Sequence, residues 1–202
     1  MTKIKICGLR RIEDVEMVNR YLPEYAGFVF APSSRQVTAE EAGILKKALV
    51  PEIQSVGVFV DAPFAEIVEI CKRGIIDVVQ LHGHEDADTI RAVKEATGKT
   101  VIKAVRVQNK EQVEAAQKLP CDFLLLDTFR PGAAGGTGED FDLSILPKLG
   151  KPFFLAGGLR PENVRAKMDR CCPYGVDVSS GVEQGGWKEE MLIRQFVQEV
   201  RS

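Results

Sequence analysis

Two side chains that could exchange protons with a substrate stand at the ends of apolar segments. Cys7 ends the short apolar stretch at residues 4–7, and Asp127 ends the apolar stretch at residues 121–127. A carboxylate after such a stretch must find hydrogen-bond partners or face a ligand, because burying it alone is costly. A lone cysteine is more often a small buried hydrophobe. Taken together, the thiol and the carboxylate predict an acid and a base facing one pocket.

Glycines and hydroxyls follow two later apolar segments. Gly157 and Gly158 precede a helix that opens with proline, and Ser179, Ser180 and Gly181 follow the last apolar segment. Loops without side chains and helix N-termini with free N–H groups are suited to binding phosphate. Each motif alone is a common turn sequence. On adjacent strand ends they predict a phosphorylated ligand.

Arg35 and two histidines are further candidates for contact with a ligand. Arg35 lies in the loop at residues 31–35, where its guanidinium could bind a carboxylate through two parallel hydrogen bonds. His82 and His84 have a spacing that resembles metal sites, but the chain contains only these 2 histidines. A hydrolytic site of that type needs more ligands from other strands, so we expect no metal. The Gly-rich segment 132–138 is either a loop that closes over the site or a plain connection.

The composition favours one globular domain spanning residues 1–202. The 27 Lys and Arg and 29 Asp and Glu give a net charge of −2 without a basic run, which argues against nucleic-acid binding. No apolar stretch approaches the roughly 20 residues that span a bilayer, and the N-terminus lacks a signal-peptide core, so we expect a cytoplasmic protein without a membrane partner. The 5 cysteines have no paired spacing, which indicates reduced thiols. The sequence leaves the oligomeric state open.

Eight apolar segments alternate with segments of helical spacing. The predicted strands are residues 4–7, 25–30, 55–60, 77–81, 100–105, 122–127, 152–156 and 175–178. The predicted helices are residues 12–20, 39–49, 63–73, 86–97, 110–118, 143–149, 161–168 and 188–200. Continuous apolar strands indicate a parallel sheet covered by helices on its faces. Eight such units predict an α/β fold, the (β/α)₈ TIM barrel; a doubly wound open sheet is the alternative, but no dinucleotide fingerprint follows the first strand.

The barrel prediction brings the candidate residues to one end of the molecule. Catalytic groups of this fold lie at the C-terminal ends of the strands, which we call the mouth. Cys7 would end the first strand and Asp127 the sixth, across part of the mouth from each other. The two phosphate-binding loops would follow the seventh and eighth strands, where barrels commonly bind phosphate. A small substrate could then be held between the acid and the base.

Seven motifs in chain order carry a family resemblance. They are KICGLR at 5–10, SR at 34–35, QLHG at 80–83, LLLDT at 124–128, GGTG at 135–138, FLAGGL at 154–159 and DVSSGVE at 177–183. In combination they resemble the phosphoribosylanthranilate isomerase family. Two places depart from the family pattern. Leu143 replaces a frequent Trp, and the segment 184–187 replaces a Pro-Gly segment.

The resemblance implies an Amadori rearrangement in tryptophan biosynthesis, in which N-(5'-phosphoribosyl)anthranilate becomes 1-(o-carboxyphenylamino)-1-deoxyribulose 5-phosphate. Asp127 would protonate the ring oxygen as the general acid, and Cys7 as thiolate would remove the C2' proton. This needs a raised carboxyl pKa at Asp127 and a lowered thiol pKa at Cys7. Arg35 would hold the anthranilate carboxylate, with His82 lining the site. The phosphate would be held by Gly157, Gly158, Ser179, Ser180 and Gly181, with Asp177 orienting those loops.

No cofactor is expected, because the proton moves within the substrate and no electrons leave it. Two alternatives remain open. One is a related phosphosugar isomerase of the histidine-pathway type, whose chemistry uses a pair of Asp, so Cys7 argues against it. The other is a non-catalytic barrel that binds a phosphate ligand, against which both Cys7 and Asp127 argue.

Overall fold

A computed structural model describes residues 1–127 and 149–202 of the chain. Eight parallel strands close into a barrel in which each strand pairs with its sequence neighbours and the last pairs with the first. They are β1 (Lys3–Cys7), β2 (Tyr25–Val29), β3 (Gln54–Phe59), β4 (Val78–Leu81), β5 (Thr100–Arg106), β6 (Phe123–Asp127), β7 (Phe153–Ala156) and β8 (Gly175–Val178). The predicted barrel is confirmed, and the predicted strands overlap all eight.

Seven described helices follow the strands. They are α1 (Ile12–Tyr21), α2 (Ala39–Ala48), α3 (Phe64–Lys72), α4 (Ala87–Thr97), α5 (Lys110–Ala116), α6 (Pro161–Cys171) and α7 (Glu190–Arg201). Polar side chains start several of them: Thr38 accepts from the backbone N–H of Glu41, and Asp86 accepts from that of Thr89. Such caps satisfy N–H groups that have no partner within the helix. The helix predicted at 143–149 and the glycine loop at 132–138 lie outside the described residues, apart from residue 149.

The barrel has an outer and an inner apolar layer because strand side chains alternate between its two faces. The larger layer packs the outer face of the sheet against the helices and includes Ile4, Ile6 and Phe196. The inner layer contains Tyr25, Val56, Val78, Ile102, Ala104, Leu125, Phe154 and Ala156. Phe154 makes edge-on aromatic contacts with Tyr25 at 5.4 Å. These rings lie near the N-terminal ends of β2 and β7, at the opposite end of the barrel from the mouth.

The chain after β8 differs from the prediction of a helix from residue 188. A single 3-10 turn (Ser180–Val182) is followed by a two-stranded hairpin, β9 (Glu183–Gln184) and β10 (Trp187–Lys188), and the helix begins only at Glu190. Gly185 and Gly186 have φ of 59° and 83°, the left-handed values that a tight hairpin turn requires. The segment 184–187, which departs from the family pattern, is therefore this hairpin turn. Helical spacing could not reveal the hairpin, because Lys188 is also compatible with the start of α7.

Candidate active site

Cys7 is the last residue of β1, and its side chain lies on the inner face of the barrel mouth. The residue is 8% exposed. It pairs in register with Gly27 of β2, where an added Cβ would lie 2.7 Å from the Cys7 Sγ. Gly8 then turns the chain out of the strand with φ of 84°. The sulfur thus occupies the space left by a missing side chain on the neighbouring strand.

A buried ion pair lies directly below Cys7. Lys5, two residues earlier on the same face of β1, is fully buried and its Nζ lies 2.9 Å from Asp177 Oδ1. These residues are register partners on β1 and β8. Burial alone would lower the pKa of Lys5, but the carboxylate of Asp177 and the hydrogen bonds of Lys5 to Asp177 and Cys7 outweigh it, and the pKa is raised. Lys5 is therefore an ammonium inside the barrel, and Asp177 is its counter-ion.

The thiol of Cys7 does not have the lowered pKa that its proposed role requires. Burial raises its pKa, and the carboxylate of Asp177 adds to that effect, whereas the ammonium groups of Lys5 and Lys188 oppose it. The expected cations are thus present, but in the unliganded protein desolvation outweighs them. The resting form of Cys7 is the neutral thiol.

Asp127 ends β6 and is about a fifth exposed at the mouth. Its Oδ2 lies 3.8 Å from His82 Nε2, the ring of which is similarly exposed. The other ring nitrogen, Nδ1, lies 3.1 Å from the amide nitrogen of Gln80, a buried side chain on β4. An amide NH₂ can only donate, so with this amide orientation Nδ1 accepts and the proton of a neutral His82 ring lies on Nε2, facing Asp127.

Arg35 is held by a carboxylate that sequence reasoning missed. Its Nε and Nη2 donate to the two oxygens of Glu183 at 2.8 and 2.6 Å. Glu183 is in turn 2.7 Å from Lys188 Nζ, and these two side chains are 6% and 1% exposed. Burial would raise the pKa of Glu183, but hydrogen bonds from Arg35 and Lys188 lower it to about 2. The three groups form a triad of two cations and one anion beside the mouth.

The loops after β7 and β8 lie against each other. Gly157 and Gly158 adopt φ of 94° and 62°, and a Cβ at Gly181 would collide with the carbonyl oxygen of Leu159. Ser179 donates through its hydroxyl to the Cys7 carbonyl at 3.0 Å, which joins this region to the end of β1. Glycines at these positions permit the close approach that a backbone phosphate cradle needs. Asp177, two residues before Ser179 on β8, accepts a hydrogen bond from Lys5.

The two histidines do not converge. His84 is almost fully exposed, and its Nδ1 lies 2.9 Å from Asp61 Oδ2, whereas His82 faces Asp127. Within residues 1–127 and 149–202 no three His, Cys, Asp or Glu side chains form a cluster that could hold a metal.

None of the helices in these ranges is long and apolar enough to cross a bilayer. All five cysteines are free thiols.

Comparison with known proteins identifies the family of the chain. The family model for N-(5'-phosphoribosyl)anthranilate (PRA) isomerase matches residues 4–199. The chain belongs to this family. It is similar to the N-(5'-phosphoribosyl)anthranilate isomerase of Lachnoclostridium phytofermentans, with 46% identity over 96% of this chain and 95% of the relative, and to that of Acetivibrio thermocellus, with 46% identity over 100% and 96%.

Solved structures agree with this assignment. Phosphoribosyl anthranilate isomerase from Thermotoga maritima superposes with a TM-score of 0.88 at 36% identity, covering 100% of this chain and 99% of that one. A second isomerase structure, in complex with reduced 1-(o-carboxyphenylamino)-1-deoxyribulose 5-phosphate, superposes with a TM-score of 0.85 at 34% identity and covers 100% and 99%. The resemblance predicted from the motifs is therefore confirmed, and the chain is an isomerase of tryptophan biosynthesis.

Several charged residues of this isomerase site were not predicted from the sequence. Lys5, Glu183 and Lys188 surround Cys7 and Arg35, and Gln80 orients His82. One signal was available for Lys5, because a lysine two residues before Cys7 on a short apolar strand must share its inner face. Glu183 ends the family motif at 177–183, but nothing in that motif indicates its partners, and Lys188 lies outside every motif, since only the hairpin brings the two together.

Proposed function

We propose that Cys7 and Asp127 are the base and the acid of this isomerase's Amadori rearrangement. The observation that carries the proposal is their position: both end strands of one closed barrel and both lie on its inner face at the mouth. The substrate is N-(5'-phosphoribosyl)anthranilate and the product 1-(o-carboxyphenylamino)-1-deoxyribulose 5-phosphate. Protons move between the two side chains and one substrate, so the reaction needs no redox partner.

Asp127 starts the reaction as the general acid. Its carboxyl proton passes to the ribose ring oxygen, the bond from C1' to that oxygen breaks, and a Schiff base forms between C1' and the anthranilate nitrogen. Asp127 becomes a carboxylate in this step. His82 Nε2, which lies 3.8 Å from Asp127 Oδ2, then faces the new negative charge. His82 accordingly lines the site beside the acid.

Cys7 completes the rearrangement as the base. Its thiolate takes the proton from C2', and the electrons left behind neutralise the iminium and give an enamine that tautomerises to the ketone. The resting thiol must lose its proton before this step, because burial raises its pKa. The ammonium groups of Lys5 and Lys188 stabilise the resulting thiolate. The cycle closes when the proton gained by Cys7 is lost and Asp127 is protonated again.

The binding groups divide between the two ends of the substrate. Arg35 binds the anthranilate carboxylate through the N–H groups that Glu183 leaves free. The phosphate is bound by the loops after β7 and β8, through Gly157, Gly158, Ser179, Ser180 and Gly181. The isomerase that was solved with a reduced product supports a phosphorylated ligand for this fold. We assign Asp177 to holding Lys5 rather than to orienting the phosphate loops.

A direct activity measurement tests this function. The purified protein is mixed with freshly prepared phosphoribosyl anthranilate, and the loss of anthranilate fluorescence is followed over time. We expect catalysed loss that scales with protein concentration. A protein that binds the substrate without turning it over would instead support the non-catalytic alternative. Turnover of a histidine-pathway substrate alone would support the alternative of a phosphosugar isomerase of the histidine-pathway type. A cytoplasmic location and the absence of nucleic-acid and membrane partners stay predictions.

A further inference from the structure

Glu183 occupies one specific edge of the Arg35 guanidinium. A guanidinium is planar and carries five N–H donors, which form two edges able to bind a carboxylate in parallel. Glu183 takes the edge formed by Nε and Nη2, at 2.8 and 2.6 Å. Both N–H groups of Nη1 and the second N–H of Nη2 lie outside this fork. Pairing along the edge formed by Nε and Nη2 thus fixes the guanidinium plane. It leaves the other edge, formed by Nη1 and Nη2, for a second carboxylate.

Glu183 is itself held rigidly by the hairpin. It pairs in register with Lys188, whose ammonium is 2.7 Å from the same Oε1 that accepts from Arg35 Nε. Lys188 also donates to the carbonyl of Ser179 at 3.0 Å, which ties the triad to the end of β8. A carboxylate with two cationic partners and almost no exposure has little rotational freedom. It therefore transmits a fixed orientation to Arg35.

The loop that carries Arg35 is joined to the same hairpin at a second point. Arg10 donates from Nη1 to the Ser34 carbonyl and from Nη2 to the Gly186 carbonyl, each at 2.5 Å. Its guanidinium also stacks over the Trp187 ring at 4.1 Å. Arg10 thus connects the loop after β2 to the hairpin after β8. This connection holds the segments that carry Arg35 and Glu183 against each other.

We propose that Glu183 is a positioning residue that directs the free edge of Arg35 toward the aryl carboxylate of the substrate. The triad of Arg35, Glu183 and Lys188 keeps a net charge of +1, so it still attracts an anion after its internal pairing. Selectivity for an aryl group with a carboxylate then depends on Glu183, although Glu183 does not touch the substrate. This inference rests on the proposed binding role of Arg35.

Two ligands that differ only in one carboxylate test it. One is reduced 1-(o-carboxyphenylamino)-1-deoxyribulose 5-phosphate, and the other is the same compound with a phenylamino group that lacks the carboxylate. Their dissociation constants are measured by titration calorimetry for the wild type and for Glu183→Gln. We expect Glu183→Gln to weaken the first ligand about 10-fold and the second less than about twofold, as for loss of an oriented charge-assisted hydrogen bond.

Matched variants separate positioning from a general effect. Asp88→Asn removes another Arg–carboxylate contact, the exposed pair with Arg91 on α4, and should change neither ligand. Where Glu183→Gln does not fold, the same two titrations are made on Glu183→Gln/Lys188→Gln, which removes both buried charges of the hairpin pair. The same selective weakening is expected there.

The other outcomes overturn the inference. Equal weakening of both ligands in the folded Glu183 variants would show a merely structural role, and no weakening would show no role in binding. Arg35→Gln keeps this failure distinct from a failure of the proposed function. The deciding quantity is the preference for the carboxylate, which is the dissociation constant of the ligand without the carboxylate divided by that of the ligand with it. If this preference is unchanged in Arg35→Gln, Arg35 does not bind the carboxylate, and the role of Glu183 is overturned with it. If the preference falls in Arg35→Gln but not in Glu183→Gln, the role of Glu183 alone is overturned.

Discussion

The two sides of the barrel mouth are built differently. Around Cys7 and Arg35, the strands β1 and β8 and the hairpin supply an array of buried charges: Lys5, Asp177, Glu183 and Lys188. Around Asp127, the described neighbours include the ring of His82, oriented by the neutral amide of Gln80, and Arg106, the register partner of Asp127 on β5. The side of the proposed base is thus dense in fixed charge. The described part of the acid side is polar and more open to solvent.

The charges beside Cys7 suit the proton transfer proposed for it. A buried thiol resists ionisation, so its thiolate needs cations that are already in place when the substrate arrives. Those cations need counter-ions of their own, because an unpaired buried ammonium is costly. A carboxyl group that must keep its proton has the opposite requirement, since cations nearby would favour its ionised form. The paired charges beside Cys7 therefore match what a base at that position requires.

The largest expected effect comes from deleting the base. Cys7→Ala should lower kcat by about 10²–10⁴-fold and leave substrate affinity nearly unchanged, because a positioned proton-transfer group contributes that much. Stopped-flow fluorescence gives kcat, and titration with the reduced product gives the affinity. Cys121→Ala is the matched control, since that buried cysteine lies before β6 and should affect stability only. A Cys7→Ala enzyme with near-normal kcat would remove Cys7 as the base.

The second prediction sharpens the electrostatic side of the comparison. Lys5→Gln should raise the thiol pKa of Cys7 and Asp177→Asn should lower it, because one removes a cation and the other an anion. Among residues 1–127 and 149–202, the charged groups that face Cys7 are Lys5, Asp177, Lys188 and Arg35. Iodoacetamide labelling of Cys7 at a series of pH values, read by mass spectrometry, gives the pKa. Shifts in the same direction in both variants would indicate a packing effect instead.

The phosphate loops provide the smallest expected effect. Inorganic phosphate or sulfate should compete with the substrate, because backbone N–H groups and hydroxyls at these loops recognise the anion alone. Ser180→Ala should raise KM and the phosphate inhibition constant by similar factors, roughly 3- to 10-fold, with kcat unchanged. Steady-state inhibition kinetics measure both. Inhibition that is not competitive with substrate would count against this location.

The sequence was sufficient to predict the strands and the residues that end them. In a repeated β-α pattern, apolar runs such as those of β1 and β6 are predicted to be strands. The residue that ends each run, Cys7 or Asp127, can be identified directly in the sequence. Helix ends shifted by a few residues. α2 and α3 end earlier than predicted, and α6 continues to Cys171, because spacing does not mark where the last turn stops.

The charge network was not predictable in the same way. Lys5 and Asp177 are 172 positions apart and meet only because β8 pairs with β1 in a particular register. Glu183 reaches Arg35 through a hairpin whose turn depends on two glycines with positive φ. The pKa of Cys7 depended on the balance between burial and those charges, and that balance reversed the expected direction. Local sequence reports side-chain types, whereas such balances are set by contacts between distant segments.

The acid assignment of Asp127 is tested most directly by Asp127→Asn. The amide still accepts hydrogen bonds but has no acidic proton to deliver, so kcat should fall by roughly 10²–10⁴-fold while the thermal midpoint and phosphate affinity stay unchanged. The loss of rate at high pH, which reports deprotonation of the acid, should also disappear from the residual kcat profile. A folded Asp127→Asn enzyme with near-normal kcat and an unaltered pH profile would contradict the account.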